Sequence, residues 1–161
     1  MTVPEYNQCV HDFSDGLYRF LLKNIRDEDK AQDLVQDTFE KMWRKVETVS
    51  FEKAKSYLFT TGYHTMIDLI RRDKKQGDFQ EVKMKSLSHS EHYTDLNDIL
   101  HQALNTLNEQ QRSVVLLRDY EGYSYNEIEE ITGLNESQVK VYIYRARLAL
   151  KKYLVSIDYV I

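Results

Sequence analysis

Hydrophobic residues in the first half of the chain recur every three or four positions, the spacing that places them on one face of an α-helix. This pattern predicts helices over residues 6–25, 28–46 and 51–73. The acids of the polar turn at residues 26–29 suit the positive N-terminal end of the second helix. Residues 74–94 are polar and show no sustained apolar period, so we interpret them as a flexible linker.

Helical spacing resumes near residue 95 and leads into three short helices separated by recognisable stop and start signals. Asn108 is placed to cap a helix that ends near Gly122, where glycine supplies a left-handed turn. Ser124 and Glu127 form a capping-box pattern for the next helix. Gly133 then breaks that helix. Two short helices joined by a glycine turn, the second of them basic, are typical of a helix-turn-helix.

The composition favours an all-α fold. The chain has 161 residues with only one proline and five glycines, too few turn residues for a barrel or sandwich. We therefore predict two small helical domains, residues 1–73 and 95–161, joined by the linker at 74–94. The C-terminal domain contains the helix-turn-helix.

Several classes of chemistry find no support in the sequence. Cys9 is the only cysteine, so an internal disulfide is impossible and a zinc site has no second thiol. No phosphate-binding loop, nucleophile elbow or metal-ligand set is present, so we expect no enzyme activity, no metal and no cofactor. The N-terminus lacks a signal peptide and no apolar run approaches membrane-spanning length, so we expect a cytoplasmic protein without direct membrane insertion.

The charge distribution suggests two kinds of partner. The net charge of −4 alone disfavours binding to nucleic acid, because phosphate binding needs a positive surface. Acids, however, are dense from residue 27 to 52, whereas residues 140–152 contain lysine and arginine with no acid. A second basic cluster lies at residues 71–75. Lys140, Tyr142, Tyr144 and Arg145 would point outward from the second helix of the helix-turn-helix, toward guanine edges or phosphates. An ordinary bundle corner with a solvated basic face is the alternative.

Residues 105–154 resemble the C-terminal promoter-binding domain of the extracytoplasmic-function sigma factors of bacterial RNA polymerase. The matching residues are Leu107, Glu109, Gln111, Arg112, Leu117, Arg118, Gly122, Tyr125, Glu127, Ile128, Gly133, Val139, Lys140, Arg145, Ala146 and Arg147. Residues 27–43 are similar to the family's segment that docks on the polymerase clamp. Residues 56–72 are similar to its helix that opens and reads the minus-ten promoter element. The resemblance covers most of the chain in the family's order.

The resemblance implies a role for each segment. The polymerase clamp would be contacted by Asp33, Gln36, Asp37 and Phe39. The minus-ten DNA would be bound by Val49, Ser50, Phe51, Tyr57, Thr61, His64, Arg71 and Arg72. The minus-thirty-five duplex would be bound by Ser124, Tyr125, Gln138, Lys140, Tyr142, Tyr144, Arg145 and Arg147. The implied partners are the core polymerase, through its clamp and flap, promoter DNA and an anti-sigma factor. The free protein is expected to be a monomer.

Departures from the family pattern bear on promoter preference and on packing against the recognition helix. His64 stands where asparagine is usual and Tyr57 where tryptophan is usual. Glu129 replaces an alanine that normally packs against the recognition helix, and Val141 and Tyr142 replace serine and arginine. Phe39 fits either a partner contact or the core. Two other functions stay open from the residues: a helix-turn-helix regulator that acts on duplex DNA without polymerase, and a helical adaptor with no DNA role.

Overall fold

A computed structural model describes residues 1–76 and 95–158, and gives no side-chain environment for residues 95, 96, 157 and 158. The N-terminal group contains α1 (Val3–Ile25), α2 (Glu28–Arg44) and α3 (Ala54–Gln76), with a short 3-10 turn at Phe51–Lys53 before α3. The C-terminal group contains α4 (Asp95–Asn105), α5 (Glu109–Val115), α6 (Tyr125–Thr132) and α7 (Glu136–Asp158). A π-helical turn, Leu116–Tyr120, extends α5. The described residues contain no strand, and the all-α prediction is confirmed.

Local side-chain bonds fix where most helices begin. Thr2 and Glu5 form a capping box, which starts α1 three residues before the predicted position. Ser124 accepts from the Glu127 amide at 3.2 Å, and Glu127 accepts from the Ser124 amide at 3.0 Å. These bonds satisfy amide groups that the first helical turn leaves without partners. The predicted capping box of α6 is therefore present.

Glycine in the left-handed region ends α6. Gly133 has φ of 77°, a conformation that side chains with a Cβ rarely adopt. Asn135 follows immediately and accepts from the Gln138 amide at 2.8 Å, which starts α7. Helix, glycine turn and helix thus stand as the sequence predicts, and α7 continues to Asp158.

The three N-terminal helices enclose an apolar core of fully buried side chains: Leu17, Phe20, Leu21, Met42, Leu58, Met66 and Ile70. Gly62 lets α1 approach α3 closely, since a Cβ at this position would lie 2.9 Å from the Leu17 Cδ1. α3 continues through Gln76, so the first three residues of the predicted linker are helical. The remainder of that segment, 77–94, lies outside the described residues.

The C-terminal helices continue this apolar core with a further set of buried side chains: Leu104, Leu116, Leu117, Ile128, Ile131, Val139, Ile143 and Ala146. Arg147 of α7 forms two bonds with Asp119, at 2.6 and 3.0 Å, and ties α7 to the π-helical turn. α3 also packs against α6, which brings the two helical groups into contact. Among the helices described, none is long and apolar enough to span a bilayer.

Candidate polymerase and nucleic-acid interfaces

The acidic side of α2 is open to solvent. Asp33, Gln36 and Asp37 are all exposed, and their spacing places them on adjoining turns of one side of the helix. We call these three residues the α2 acidic face. Beside it, a shallow groove runs between α1 and α2, with apolar walls from Tyr6, Val10, Val35 and Trp43. The acidic face and the groove together place charge next to apolar surface, as protein interfaces commonly do.

Phe39 faces the interior. Only 7% of the residue is exposed, and its ring meets Tyr6 edge-on with 6.3 Å between the ring centroids. The Tyr6 hydroxyl donates to the Phe39 carbonyl at 2.9 Å. By contrast, 45% of Trp43 is exposed on the same groove. Phe39 therefore supports the groove from beneath, and Trp43 supplies the aromatic surface that a partner could touch.

A second groove lies between the loop before α3 and the outer side of α3. Of the predicted minus-ten residues, Val49, Ser50, Tyr57 and Thr61 line this groove. The other described residues around it are Thr48, Lys53, Ser56, Thr60 and, from α6, Glu130. We call this the α3 groove. Phe51 is 40% exposed at the adjacent 3-10 turn.

The remaining minus-ten residues continue along α3 beyond the groove. His64, Arg71 and Arg72 are exposed, and the three side chains recur on one side at helical spacing. The His64 ring meets the Tyr63 ring edge-on at 5.3 Å between centroids. Asp73, at the same end, is buried and pairs with Lys30 at 2.9 Å. The end of α3 therefore presents an exposed pair of arginines, and the acid that follows them in the chain is already engaged.

The predicted minus-thirty-five residues divide into two groups. Arg145 and Tyr144 point into solvent, with 67% of Tyr144 exposed. Lys140 is also exposed but pairs with Glu136 at 2.7 Å, and this hydrogen bond raises the pKa of Lys140 and lowers the pKa of Glu136. Tyr142 is half-buried against the core of the C-terminal helices.

The other predicted minus-thirty-five residues make contacts within the C-terminal helices. The Gln138 side chain accepts from the Asn135 amide at 3.0 Å, and Ser124 caps α6. Tyr125 is half-buried beneath the Arg118 guanidinium, which lies 4.6 Å from the ring centroid. The hydrogen bond to Asp119 raises the pKa of Arg147 and holds that guanidinium against region 116–120. The outward basic group at the start of α7 is therefore smaller than helical spacing alone suggests.

Comparison with known proteins matches both helical groups to one family. A model described as Sigma-70 region 2 matches residues 9–76, and one described as Sigma-70, region 4 matches residues 97–150. The RNA polymerase sigma factor SigV of Bacillus subtilis is 34% identical over 141 residues, covering 86% of this chain and 84% of that protein. The chain belongs to the extracytoplasmic-function group of the sigma-70 family.

Further relatives agree with this assignment. The extracytoplasmic-function sigma factor SigM of Bacillus subtilis is 27% identical, and the alignment covers 94% of each chain. The sigma factor RpoE of Bartonella quintana, solved in complex with the anti-sigma factor NepR, superposes with a TM-score of 0.77 at 28% identity. That superposition covers 94% of this chain and 98% of the relative. CnrH, solved with the cytosolic domain of CnrY, shares the fold with a TM-score of 0.70 at 24% identity over 94% of this chain and 88% of CnrH.

The predicted family and function are confirmed: this chain is an RNA polymerase sigma factor, and the reading as a regulator independent of polymerase is not favoured. We use region 2 for α1–α3 and region 4 for α4–α7. Sequence reasoning missed Lys53, Ser56 and Thr60 on the α3 groove, although their helical spacing with Tyr57 and Thr61 was a usable signal. It also missed Glu130, which reaches the groove from a helix that is distant in sequence.

Proposed function

We propose that the sigma factor divides promoter recognition among three surfaces. The α2 acidic face and its neighbouring apolar groove bind the clamp of core polymerase. The α3 groove and the outer side of α3 hold the unpaired minus-ten strand. The exposed start of α7 reads the minus-thirty-five duplex. The chain itself carries out no chemical step and acts in the cytoplasm, where it delivers polymerase to promoters.

The observation that carries this proposal is the joint exposure of Asp33, Gln36 and Asp37 beside an apolar groove. Carboxylates on a solvated helix suit a basic partner, since complementary charge steers association and suppresses wrong partners. Trp43 adds an exposed aromatic side chain, a residue type that often dominates interface affinity. Charge and apolar contact thus adjoin on one side of region 2.

The chemistry of the α3 side suits single-stranded DNA. Phe51, Tyr57 and His64 offer rings on which unpaired bases can stack, and Lys53, Arg71 and Arg72 offer positive charge to the backbone. In region 4, Arg145 and Tyr144 stand free of the core in the first half of α7, the part of a recognition helix that meets base edges. Lys140 would join them once its bond to Glu136 opens.

Run-off transcription tests the polymerase contact. Core polymerase, promoter fragments selected from the source genome and the sigma factor would be compared with the Gln36→Ala/Asp37→Ala variant. We expect at least about a tenfold loss of transcript, as for removal of a central interface contact. The matched control is Gln8→Ala/Asp12→Ala, which removes an exposed glutamine and aspartate from the other side of α1. Equal transcription by both double variants would contradict the proposal.

We also propose an anti-sigma factor as a regulatory partner. The support is the relative RpoE of Bartonella quintana, which was solved in complex with the anti-sigma factor NepR. Co-expression of the tagged sigma factor in its source organism, followed by purification and identification of co-purifying proteins, tests this. We expect a partner that blocks run-off transcription when added back, and recovery of polymerase subunits alone would contradict the proposal.

A further inference from the structure

An apolar stripe lies along the solvent side of α7. Val139, Ile143 and Ala146 are buried and define the inner side of this helix. Val141 lies between Val139 and Ile143 in the sequence, so a helix of about 3.6 residues per turn places it on the opposite side. Val141 is 42% exposed, and Leu148 is 40% exposed further along the same side. The centre of the surface that α7 turns to solvent is therefore apolar.

The charged residues of α7 flank this stripe rather than occupy it. Tyr144 and Arg145 are exposed and follow Val141 by three and four residues, so both adjoin it on the next helical turn. Lys140 turns to one side, where its ammonium pairs with Glu136 at 2.7 Å. Apart from Glu136, the sequence of α7 has no acid before its last residue. Apolar contact at Val141 thus stands beside positive charge at Arg145.

The place of the stripe in the helix-turn-helix indicates what it meets. α7 follows the glycine turn, and the helix in that position is the one that helix-turn-helix proteins insert into the major groove of DNA. Val141 lies in the first half of α7, within the part of a recognition helix that contacts base edges. A cationic border and the scarcity of acids suit duplex DNA as the occupant of this surface.

The chemistry of valine restricts which base can face it. The major groove presents hydrogen-bonding atoms on every base pair, but its apolar group is the C5 methyl of thymine. A valine side chain has no donor and no acceptor. Opposite a guanine or a cytosine, Val141 would exclude water from polar base atoms without replacing the lost hydrogen bonds. Opposite a thymine, it would bury one methyl group against another apolar group.

We propose that Val141 determines promoter specificity in region 4 by contacting the C5 methyl group of a thymine in the minus-thirty-five element, while Arg145 makes the adjacent polar contact. This inference rests on the proposed binding of the minus-thirty-five duplex by α7. Tyr144 and Leu148 extend the apolar surface along the groove on either side of the contact. A promoter with another base at that position binds less tightly.

Replacement of thymine by deoxyuridine tests this contact in the holoenzyme. Each thymine of the minus-thirty-five element, on either strand, is exchanged in turn within a promoter fragment selected from the source genome. Deoxyuridine lacks the C5 methyl but keeps the hydrogen-bonding groups of thymine. Gel-shift titration at fixed salt measures affinity. For the wild type we expect about a fourfold loss at one position, as for loss of one buried methyl group.

Val141→Ala removes the two methyl groups that would touch the thymine. This variant should bind the unmodified promoter about fourfold to tenfold more weakly than the wild type, and it should no longer distinguish thymine from deoxyuridine at the sensitive position. Val155→Ala is the matched control, because Val155 is 43% exposed but lies near the far end of α7. It should keep both wild-type affinity and deoxyuridine sensitivity. Circular dichroism verifies that each variant is folded.

Three outcomes would overturn the thymine contact: a minus-thirty-five element without thymine on either strand, a wild type indifferent to deoxyuridine at every position, or a Val141→Ala variant that keeps the wild-type sensitivity. An indifferent wild type whose affinity still falls in Val141→Ala would identify the stripe as a protein contact instead.

Replacement of the whole minus-thirty-five element by an unrelated sequence tests the proposed function separately. It should lower wild-type affinity at least about tenfold, because each mismatched base pair weakens specific binding. Such a loss without deoxyuridine sensitivity would remove only the thymine contact. No loss at all would remove the minus-thirty-five role of α7 itself, so the two failures give different results.

Discussion

The side chains of Asp33, Gln36 and Asp37 on α2 make no hydrogen bond or ion pair with another described residue, whereas much of the polar surface around the start of α7 is already engaged within region 4. Lys140 pairs with Glu136 at 2.7 Å, and Arg147 is held by Asp119. The α2 acidic face is thus available to a partner as it stands. The α7 surface must give up an internal bond before Lys140 can serve DNA.

This difference distinguishes two ways of building an interface on a helix. α2 separates its roles by side, with Phe39 in the core and Asp37 in solvent. On α7 the side that carries Lys140 and Arg147 is engaged internally, because Lys140 pairs with Glu136 and Arg147 fastens the helix to the π-helical turn, whereas Arg145 projects freely from another side. Residue type alone therefore identifies partner-binding groups well on α2 and poorly on α7.

The largest expected effect tests the separation of roles on α2. Phe39→Ala removes a nearly buried ring from beside Tyr6, and we expect it to lower the free energy of unfolding by about 3–5 kcal/mol. Asp37→Ala, on the exposed side, should change that free energy by less than about 0.5 kcal/mol. Urea unfolding followed by circular dichroism measures both. A Phe39→Ala variant of wild-type stability would place Phe39 with the partner contacts instead.

A second substitution tests the exposed part of α7. Arg145→Ala should weaken binding of the holoenzyme to promoter duplex by about 1–3 kcal/mol, the usual range for an arginine that contacts a base edge. Stability should be unchanged because the side chain points into solvent. Gel-shift titration at fixed salt measures the affinity, and Lys152→Ala, near the far end of the helix, is the matched control. Equal losses for both variants would indicate general charge attraction rather than base contact.

Features that depend on residues close together in the sequence could be predicted from it. The caps of α6 and α7 join residues only three positions apart, and the Ser124–Glu127 capping box was predicted from that spacing. The inner stripe of α2 likewise includes Phe39, which the structure buries. Helical spacing determines which side a residue occupies, and burial follows from that side.

Interactions between distant residues could not be predicted in this way. Arg147 and Asp119 lie 28 residues apart, and Arg19 and Glu121 lie 102 apart. Both pairs depend on how whole helices approach each other, and no local pattern encodes that approach. The position of Glu130 at the α3 groove likewise depends on how α6 packs against α3. The resemblance to sigma factors placed each surface on its helix but did not indicate which cations were internally paired.

A third prediction concerns that internal pairing in region 4. Arg147→Ala should lower the free energy of unfolding by about 0.5–1 kcal/mol, because a partly exposed ion pair contributes little even with two hydrogen bonds. Promoter affinity should fall less than for Arg145→Ala. A double-mutant cycle with Asp119→Ala isolates the pair, since the second substitution should cost little once the first is made. Additive losses of unfolding free energy would show that Arg147 and Asp119 act independently. Arg147 would then again be a candidate for DNA contact.

The smallest expected effect concerns the ion pair between Glu136 and Lys140 on α7. This pair most clearly distinguishes the α7 surface from the unpaired α2 acidic face. Glu136→Gln keeps the shape of the side chain but removes the charge that holds Lys140. We expect affinity of the holoenzyme for promoter duplex to rise about twofold, because a cation is released and an anion is removed from the end of α7 that approaches phosphates. The gain should shrink as salt rises and screens exposed charges.

The matched control for this last prediction is Asp12→Asn, which neutralises an exposed acid on α1 far along the chain from α7. It changes net charge equally, so a gain shared by both variants would reflect overall charge rather than release of Lys140. A loss of affinity in Glu136→Gln alone would mean that Glu136 holds Lys140 in the orientation that DNA requires. The internal bond would then be preorganisation, and the start of α7 would be as ready for its partner as the α2 acidic face is for polymerase.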